Sequence, residues 1–150
     1  MPRLHFVADS SAPPDRVLAA ARDFSDRRPE LWPNIDPEYY EVHEVGDDFA
    51  VVTEGTSFLG AAWARERYDW SQPGVVRATT LDSNIFRKGS WQLTATPRDG
   101  GSHVEVINDR EMKGLKGGVI GIAMRLGKPV LGRHLKQFLA TVEGQATGSR

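Results

Sequence analysis

The stretch that decides the fold is Phe86-Arg87-Lys88-Gly89-Ser90-Trp91-Gln92-Leu93-Thr94-Ala95-Thr96-Pro97-Arg98-Asp99-Gly100-Gly101-Ser102-His103-Val104-Glu105-Val106-Ile107-Asn108-Asp109-Arg110-Glu111-Met112. Trp91 and Leu93 fall on one face of an extended chain, and Val104 and Val106 fall on one face of another, which is the two-residue period of a half-buried strand. Between them Pro97 to Gly101 is a cluster of turn residues too short for a crossover. Two strands joined this closely must run antiparallel, because a parallel pair needs a connection of about a dozen residues or more. The stretch therefore predicts a hairpin of strands Phe86–Thr96 and His103–Met112.

Upstream the same punctuation recurs at Gly46-Asp47-Asp48, Gly60, Gln72-Pro73-Gly74 and Asp82-Ser83-Asn84. It delimits four more strands, Tyr39–Val45, Phe49–Gly55, Ala61–Trp70 and Val75–Leu81. Leu4 to Ala8 adds a seventh at the start. Helical spacing of Val17, Leu18, Ala21 and Phe24 predicts a first helix from about Pro13 to Ser25, with Ser10 or Ser11 as its cap and prolines in its first turn. The proline-bounded Pro29-Glu30-Leu31-Trp32-Pro33 allows only a short second one. Beyond Gly114 the period becomes helical again: Val119, Ile122 and Leu126, then Leu131, Leu135, Phe138 and Val142. That is a long C-terminal helix, with a bend expected at Pro129 and a flexible tail over residues 144–150.

Seven antiparallel strands, two short helices and one long helix make an α+β domain. One face of the sheet must be covered, and the long helix is the element large enough to cover it. Several inward candidates are small: Ala62, Ala64, Ala78 and Ala95 on the strands, and Gly117, Gly118, Gly121 and Ala123 on the helix. Glycine inside a helix costs about 1 kcal/mol relative to alanine. Close packing accounts for any single glycine; together they also leave room for a ligand.

Composition narrows the function. The 150 residues suit one domain, 1–150, and the net charge of −1 gives no field to recruit nucleic acid or an anionic membrane. With no cysteine there is no disulfide, thiolate nucleophile or cysteine-bound zinc, which fits a reducing compartment. The first residues, Met1 to Val7, lack the apolar run of a secretory signal, and Val119 to Met124 is too short to span a bilayer. These features predict a cytoplasmic protein with no stable membrane insertion, and they leave room for a homodimer.

Candidate side chains follow from strand parity. If Trp91, Leu93, Val104 and Val106 point inward, so do Asn108 and Arg110. On the third of the six later strands Glu66 shares a face with Tyr68 and Trp70. Inward Glu66 and Arg110 would be opposite charges in one low-dielectric space and would have to be paired; at the sheet rim they would simply be wetted. Glu66, Tyr68, Trp70, Trp91, Asn108 and Arg110 are thus the candidate ligand-binding residues, polar anchors in an apolar, aromatic pocket. No catalytic residue stands out. His103-Val104-Glu105 lacks the Pro-Cys-x-x-Cys that completes a zinc deaminase, there is no His-Glu-x-x-His, and His43 and His103 belong on the solvated face. No metal and no cofactor is expected. Gly121 to Lys128 fails as a phosphate loop, with Pro129 where Ser or Thr is required, and no Gly-x-Ser-x-Gly elbow occurs. The basic residues Arg125, Lys128, Arg133, His134 and Lys136 read as a solvated helix face.

In their order, Pro13-Pro14-Asp15-Arg16-Val17-Leu18, Leu31-Trp32-Pro33, Arg65 to Trp70, Gly89-Ser90-Trp91-Gln92-Leu93 and the Gly100 to Val106 hairpin resemble the START-like (SRPBCC, helix-grip) superfamily, of the polyketide cyclase/dehydrase and lipid-transport type. The glycine-rich front half of the last helix departs from that pattern. The resemblance implies a bent sheet around the long helix and a cavity for a lipid, polyketide, quinone or other aromatic. Binding or transfer of a small hydrophobic molecule is the leading expectation. An aromatase/cyclase-type enzyme is the alternative, with Glu66 or an inward histidine as base and Arg110 or Tyr68 polarising a carbonyl. A surface-interaction module with a collapsed cavity is the third.

Overall fold

The computed structural model describes residues 3–57, 62–113 and 128–148. Its elements are β1 (Arg3–Ser10), α1 (Pro14–Ala21), α2 (Arg28–Leu31), a 3-10 turn (Pro37–Tyr39), β2 (Glu41–Val45), β3 (Phe49–Thr56), β4 (Ala62–Asp69), β5 (Val75–Ser83), β6 (Phe86–Arg98), β7 (Gly101–Met112) and α3 (Lys128–Gly148). The strands form one seven-stranded sheet in the order β1-β7-β6-β5-β4-β3-β2, every pair antiparallel. The alternation predicted these antiparallel strands, and the resemblance implied their helix-grip arrangement.

The deciding hairpin closes as its residues require. Arg98 pairs with Gly101, so the loop is Asp99-Gly100, and both residues have positive φ, 50° and 82°. Asp-Gly with both φ values positive is the turn whose twist matches that of the flanking strands. From Lys88↔Glu111 to Arg98↔Gly101 the register is unbroken. Irregularities sit elsewhere, between Val42 and Glu44, between Arg65 and Glu66, and between Phe86 and Lys88; each bends its strand locally.

The first helix is shorter than its periodicity suggests. It ends at Ala21, and no side chain caps its start at Pro13. Ser10 instead accepts a hydrogen bond from the Ala12 amide at 3.1 Å, one turn too early to serve as a cap. At the other end a guanidinium replaces further helix: Arg28 donates to the carbonyls of Ala21 (2.9 Å) and Asp23 (3.2 Å). The 3-10 turn at Pro37–Tyr39 likewise takes Tyr39 out of the expected β2.

Val17, Ala20 and Ala21 of α1, Leu31 and Trp32, and Leu135, Phe138, Leu139 and Val142 of α3 pack on Val52, Val76, Leu93, Val104 and Val106 of the sheet. Helix α3 also lies on β1, with Gly132 facing Phe6. Pro129 is the second residue of the described helix. The bend expected there turns on the carbonyl of Arg125, and the glycine-rich stretch runs from 114 to 127; both lie outside the described residues. The helix continues past Gly144 to Gly148.

Candidate functional site

The inward face of the sheet is divided along its strands. One half is apolar, made by Val76, Leu93, Ala95, Val104 and Val106, and α1 lies against its strands β5, β6 and β7. The other half, toward the end of β3 and the starts of β4 and β6, carries charge. Register builds it row by row. Ala50, Tyr68, Ala78, Trp91 and Asn108 stand opposite one another across β3 to β7. One step further along come Val52, Glu66 and Thr80, with Gly89 opposite Arg110.

Glu66 and Arg110 meet. Arg110 Nη2 donates to Glu66 Oε1 at 2.7 Å, with side-chain exposures of 19% and 2%, so the pair is interior on the carboxylate side. Two features allow it. The parity counted from Val106 holds because β7 has no irregularity before Arg110. Gly89, opposite, has no side chain: a Cβ there would sit 2.5 Å from Arg110 Cγ. Arg110 therefore lies across β6 toward β4, its guanidinium 4.9 Å from the centre of the Phe86 ring. Burial pushes the Glu66 carboxyl above its ordinary value, while Arg110 and the Thr80 hydroxyl favour the charged form and Glu54 opposes it. Thr80 acts by proximity, without the geometry of a formed hydrogen bond.

A second buried network, which the sequence reading missed, adjoins the first. Arg28, 1% exposed, donates from Nε to Glu54 Oε2 at 2.7 Å, and Glu54 also accepts from the Tyr68 hydroxyl. Burial alone would lower the Arg28 pKa, but Glu54 and Tyr68 more than offset it and leave it raised. Burial, followed by the Glu54 carboxylate, pushes the Tyr68 phenol well above its ordinary value. Glu54 shares the inward parity of Val52 and Ala50, a signal the sequence offered. Arg28 offered none, since an arginine beside Arg27 on a four-residue helix reads as solvated.

The aromatic candidates line up between the two halves. Phe138 stacks on Trp32 at 4.0 Å and 9°, Trp32 meets Trp91 edge-on at 5.7 Å, and Trp91 meets Tyr68 at 6.2 Å. Phe24 then links Tyr68 to Trp70. Trp70 itself stands just beyond the end of β4, its indole donating to the Asp47 carbonyl at 3.0 Å. There it lines a cleft of about 240 Å³ with Asp15, Leu18, Arg22 and Val76, away from Glu66 and Arg110. Tyr68, Trp91, Asn108, Glu66 and Arg110 are thus together, and Trp70 is at the rim.

Among the described residues, four polar atoms of this face are buried with no hydrogen-bond partner: Glu66 Oε2, Thr80 Oγ1, Asn108 Oδ1 and Arg110 Nε. Trp32 Nε1 is a fifth, on the aromatic line, and His134 Nδ1 on α3 a sixth. Native interiors satisfy nearly all such atoms, so a cluster needs a cause. His43 and His103 lie on the outer face, against Thr53 and Asp9. No group of three or more metal-binding side chains comes together among the described residues. Nor, among them, is any helix long and apolar enough to cross a membrane.

No curated protein sequence is significantly similar to this chain. Its fold is shared with solved structures of low identity. The Zhui aromatase/cyclase from Streptomyces sp. R1128 is 17% identical with a TM-score of 0.81, over 97% of this chain and 95% of that one. TTHA0849 from Thermus thermophilus is 16% identical with a TM-score of 0.80, over 96% and 99%. A STAR-related lipid transfer protein from Xanthomonas axonopodis is 14% identical with a TM-score of 0.72, over 94% and 85%. The family profile described as polyketide cyclase/dehydrase and lipid transport matches residues 1–146, and with the helix-grip sheet around α3 this chain belongs to that family.

Proposed function

We propose that this protein binds or carries a small hydrophobic molecule between the inward sheet face and its covering helix. The apolar body of the ligand rests against Trp91, Tyr68 and the aromatic line, and its polar end faces Glu66, Asn108 and Arg110. Trp70, at the rim, contacts what enters or leaves beside α1. The observation that carries the reading is Glu66 Oε2, unpartnered on a side chain only 2% exposed. A buried carboxylate oxygen without a donor costs about 1–3 kcal/mol or more, and a ligand hydroxyl or amide would offset that cost. A lipid-transport or aromatic-binding role is supported by the family, described as polyketide cyclase/dehydrase and lipid transport.

The test uses the full chain and a neutral environment-sensitive dye, Nile red. Saturable, stoichiometric binding is expected, and native mass spectrometry of protein from its own source should show a co-purifying neutral mass. Arg110→Met should weaken dye-competing ligands by at least about tenfold, or roughly 1.4 kcal/mol. Absence of saturable binding to the cooperatively folded protein would refute the reading.

A further inference from the structure

Resting on the binding reading above, the geometry points to a selectivity rule. We infer that the site takes neutral, hydroxyl-bearing hydrophobic molecules and rejects carboxylates of the same size and shape.

The charges already balance. The buried ionisable side chains on this face, among the described residues, are two cations and two carboxylates, arranged as Arg28 with Glu54 and Arg110 with Glu66, each at 2.7 Å. Tyr68 stays a neutral phenol, donating to Glu54. Lys113, exposed at the rim, gives its ammonium to the Ser83 carbonyl at 2.6 Å. No cation on the face, among the described residues, is left to receive a second anion. A ligand carboxylate would bring a third negative charge beside Glu66, and like charges in a poorly hydrated site repel strongly.

The unused hydrogen-bonding capacity states what is wanted instead. Glu66 Oε2 can only accept while the carboxylate is charged, and Asn108 Oδ1 can only accept, so both call for a donor. Arg110 Nε can only donate, so it calls for an acceptor. Thr80, the register partner of Glu66, can do either. Over Gly89 the Arg110 stem occupies the place that a β6 side chain would take. A carboxylate can serve Arg110 but offers no donor to Glu66 or Asn108. An alcohol or phenol serves Glu66, and a carbonyl or ether oxygen on the same molecule serves Arg110. The Trp91 and Trp32 rings favour a flat apolar body beside these groups.

The experiment is isothermal titration at pH 7 with three probes of nearly equal shape: 2-naphthol, 2-methoxynaphthalene and 2-naphthoate. Only the first is a neutral hydroxyl donor; the second keeps the ether oxygen, and the third is ionised. In the native protein 2-naphthol should bind at least about tenfold tighter than either of the others, the lower end for a hydrogen bond to a charged group. Glu66→Gln removes one negative charge, keeps an oxygen for Arg110, and should move the naphthoate-to-naphthol affinity ratio by at least about tenfold toward naphthoate. Naphthoate binding as tightly as naphthol, or the methoxy compound matching naphthol in the native protein, would overturn the rule and leave the cavity reading standing on Nile red. Failure of all three probes together with Nile red would overturn both. Should Glu66→Gln not fold, the native three-probe comparison decides alone.

Discussion

Replacing Gly89 by alanine tests whether the Glu66–Arg110 pair is built by the bare backbone of β6. The added Cβ would stand 2.5 Å from Arg110 Cγ, 3.0 Å from its Cβ and 3.1 Å from its Cα. The first contact is too close for any carbon pair, and the others leave little room to yield, so Arg110 must turn away from Glu66. Glu66 is 2% exposed and would be left buried without its partner. Breaking a buried pair from one side costs about 3–5 kcal/mol. Alanine in a strand returns about 0.5–1 kcal/mol relative to glycine. The expected net loss is therefore about 2–4 kcal/mol, read as a lower urea midpoint at unchanged slope. The same substitution in an Arg110→Ala background, where no Cγ remains, should cost at least about 1 kcal/mol less, a coupling of the size adjacent residues show. A native-background loss below about 0.5 kcal/mol, or equal losses in both backgrounds, would refute the account of how Arg110 reaches Glu66.

Phe138→Ala should cost about 3–5 kcal/mol in the same denaturation assay, because Phe138 is fully buried and stacked on Trp32; a loss under about 1.5 kcal/mol would mean that α3 does not pack into the core. Glu66 reverses the usual acid response of a carboxylate. Its folded pKa lies above the ordinary 4.5, so between the two values the native state binds more protons than the unfolded chain. Its contribution to stability accordingly rises as pH falls from the folded value toward 4.5, and Glu66→Gln should remove that component of the slope. Equal slopes in the two proteins would contradict it. His134 should titrate below 6.5 in an NMR pH series, since burial, and then Arg133, disfavour its charged form; a midpoint at or above 6.5 would place the ring in solvent.

Sequence alone determined the strands and their antiparallel connection, because alternation and turn chemistry are local properties of the backbone. Asp99-Gly100 could close a two-residue turn whatever lay elsewhere in the chain. The same local rule placed Arg110 and Asn108 on the inward face, since nothing between Val106 and Arg110 interrupts the period. Helix α1 was overestimated because its periodicity runs to Phe24, whereas its end is set by Arg28, seven residues beyond Ala21 in the chain. Which side chains meet was decided only by the tertiary structure. Arg110 finds Glu66 across 44 residues and Arg28 finds Glu54 across 26, contacts fixed by strand register and by where α2 docks. Trp70 shares the parity of Tyr68, but β4 ends at Asp69 and hands it to the Asp47 carbonyl and the α1 cleft. Gly89 shows the limit most sharply. In the sequence it is one glycine in a strand; in the sheet it is the missing side chain over which a guanidinium crosses to a buried carboxylate, because a cross-strand neighbour exists only once the strands have paired.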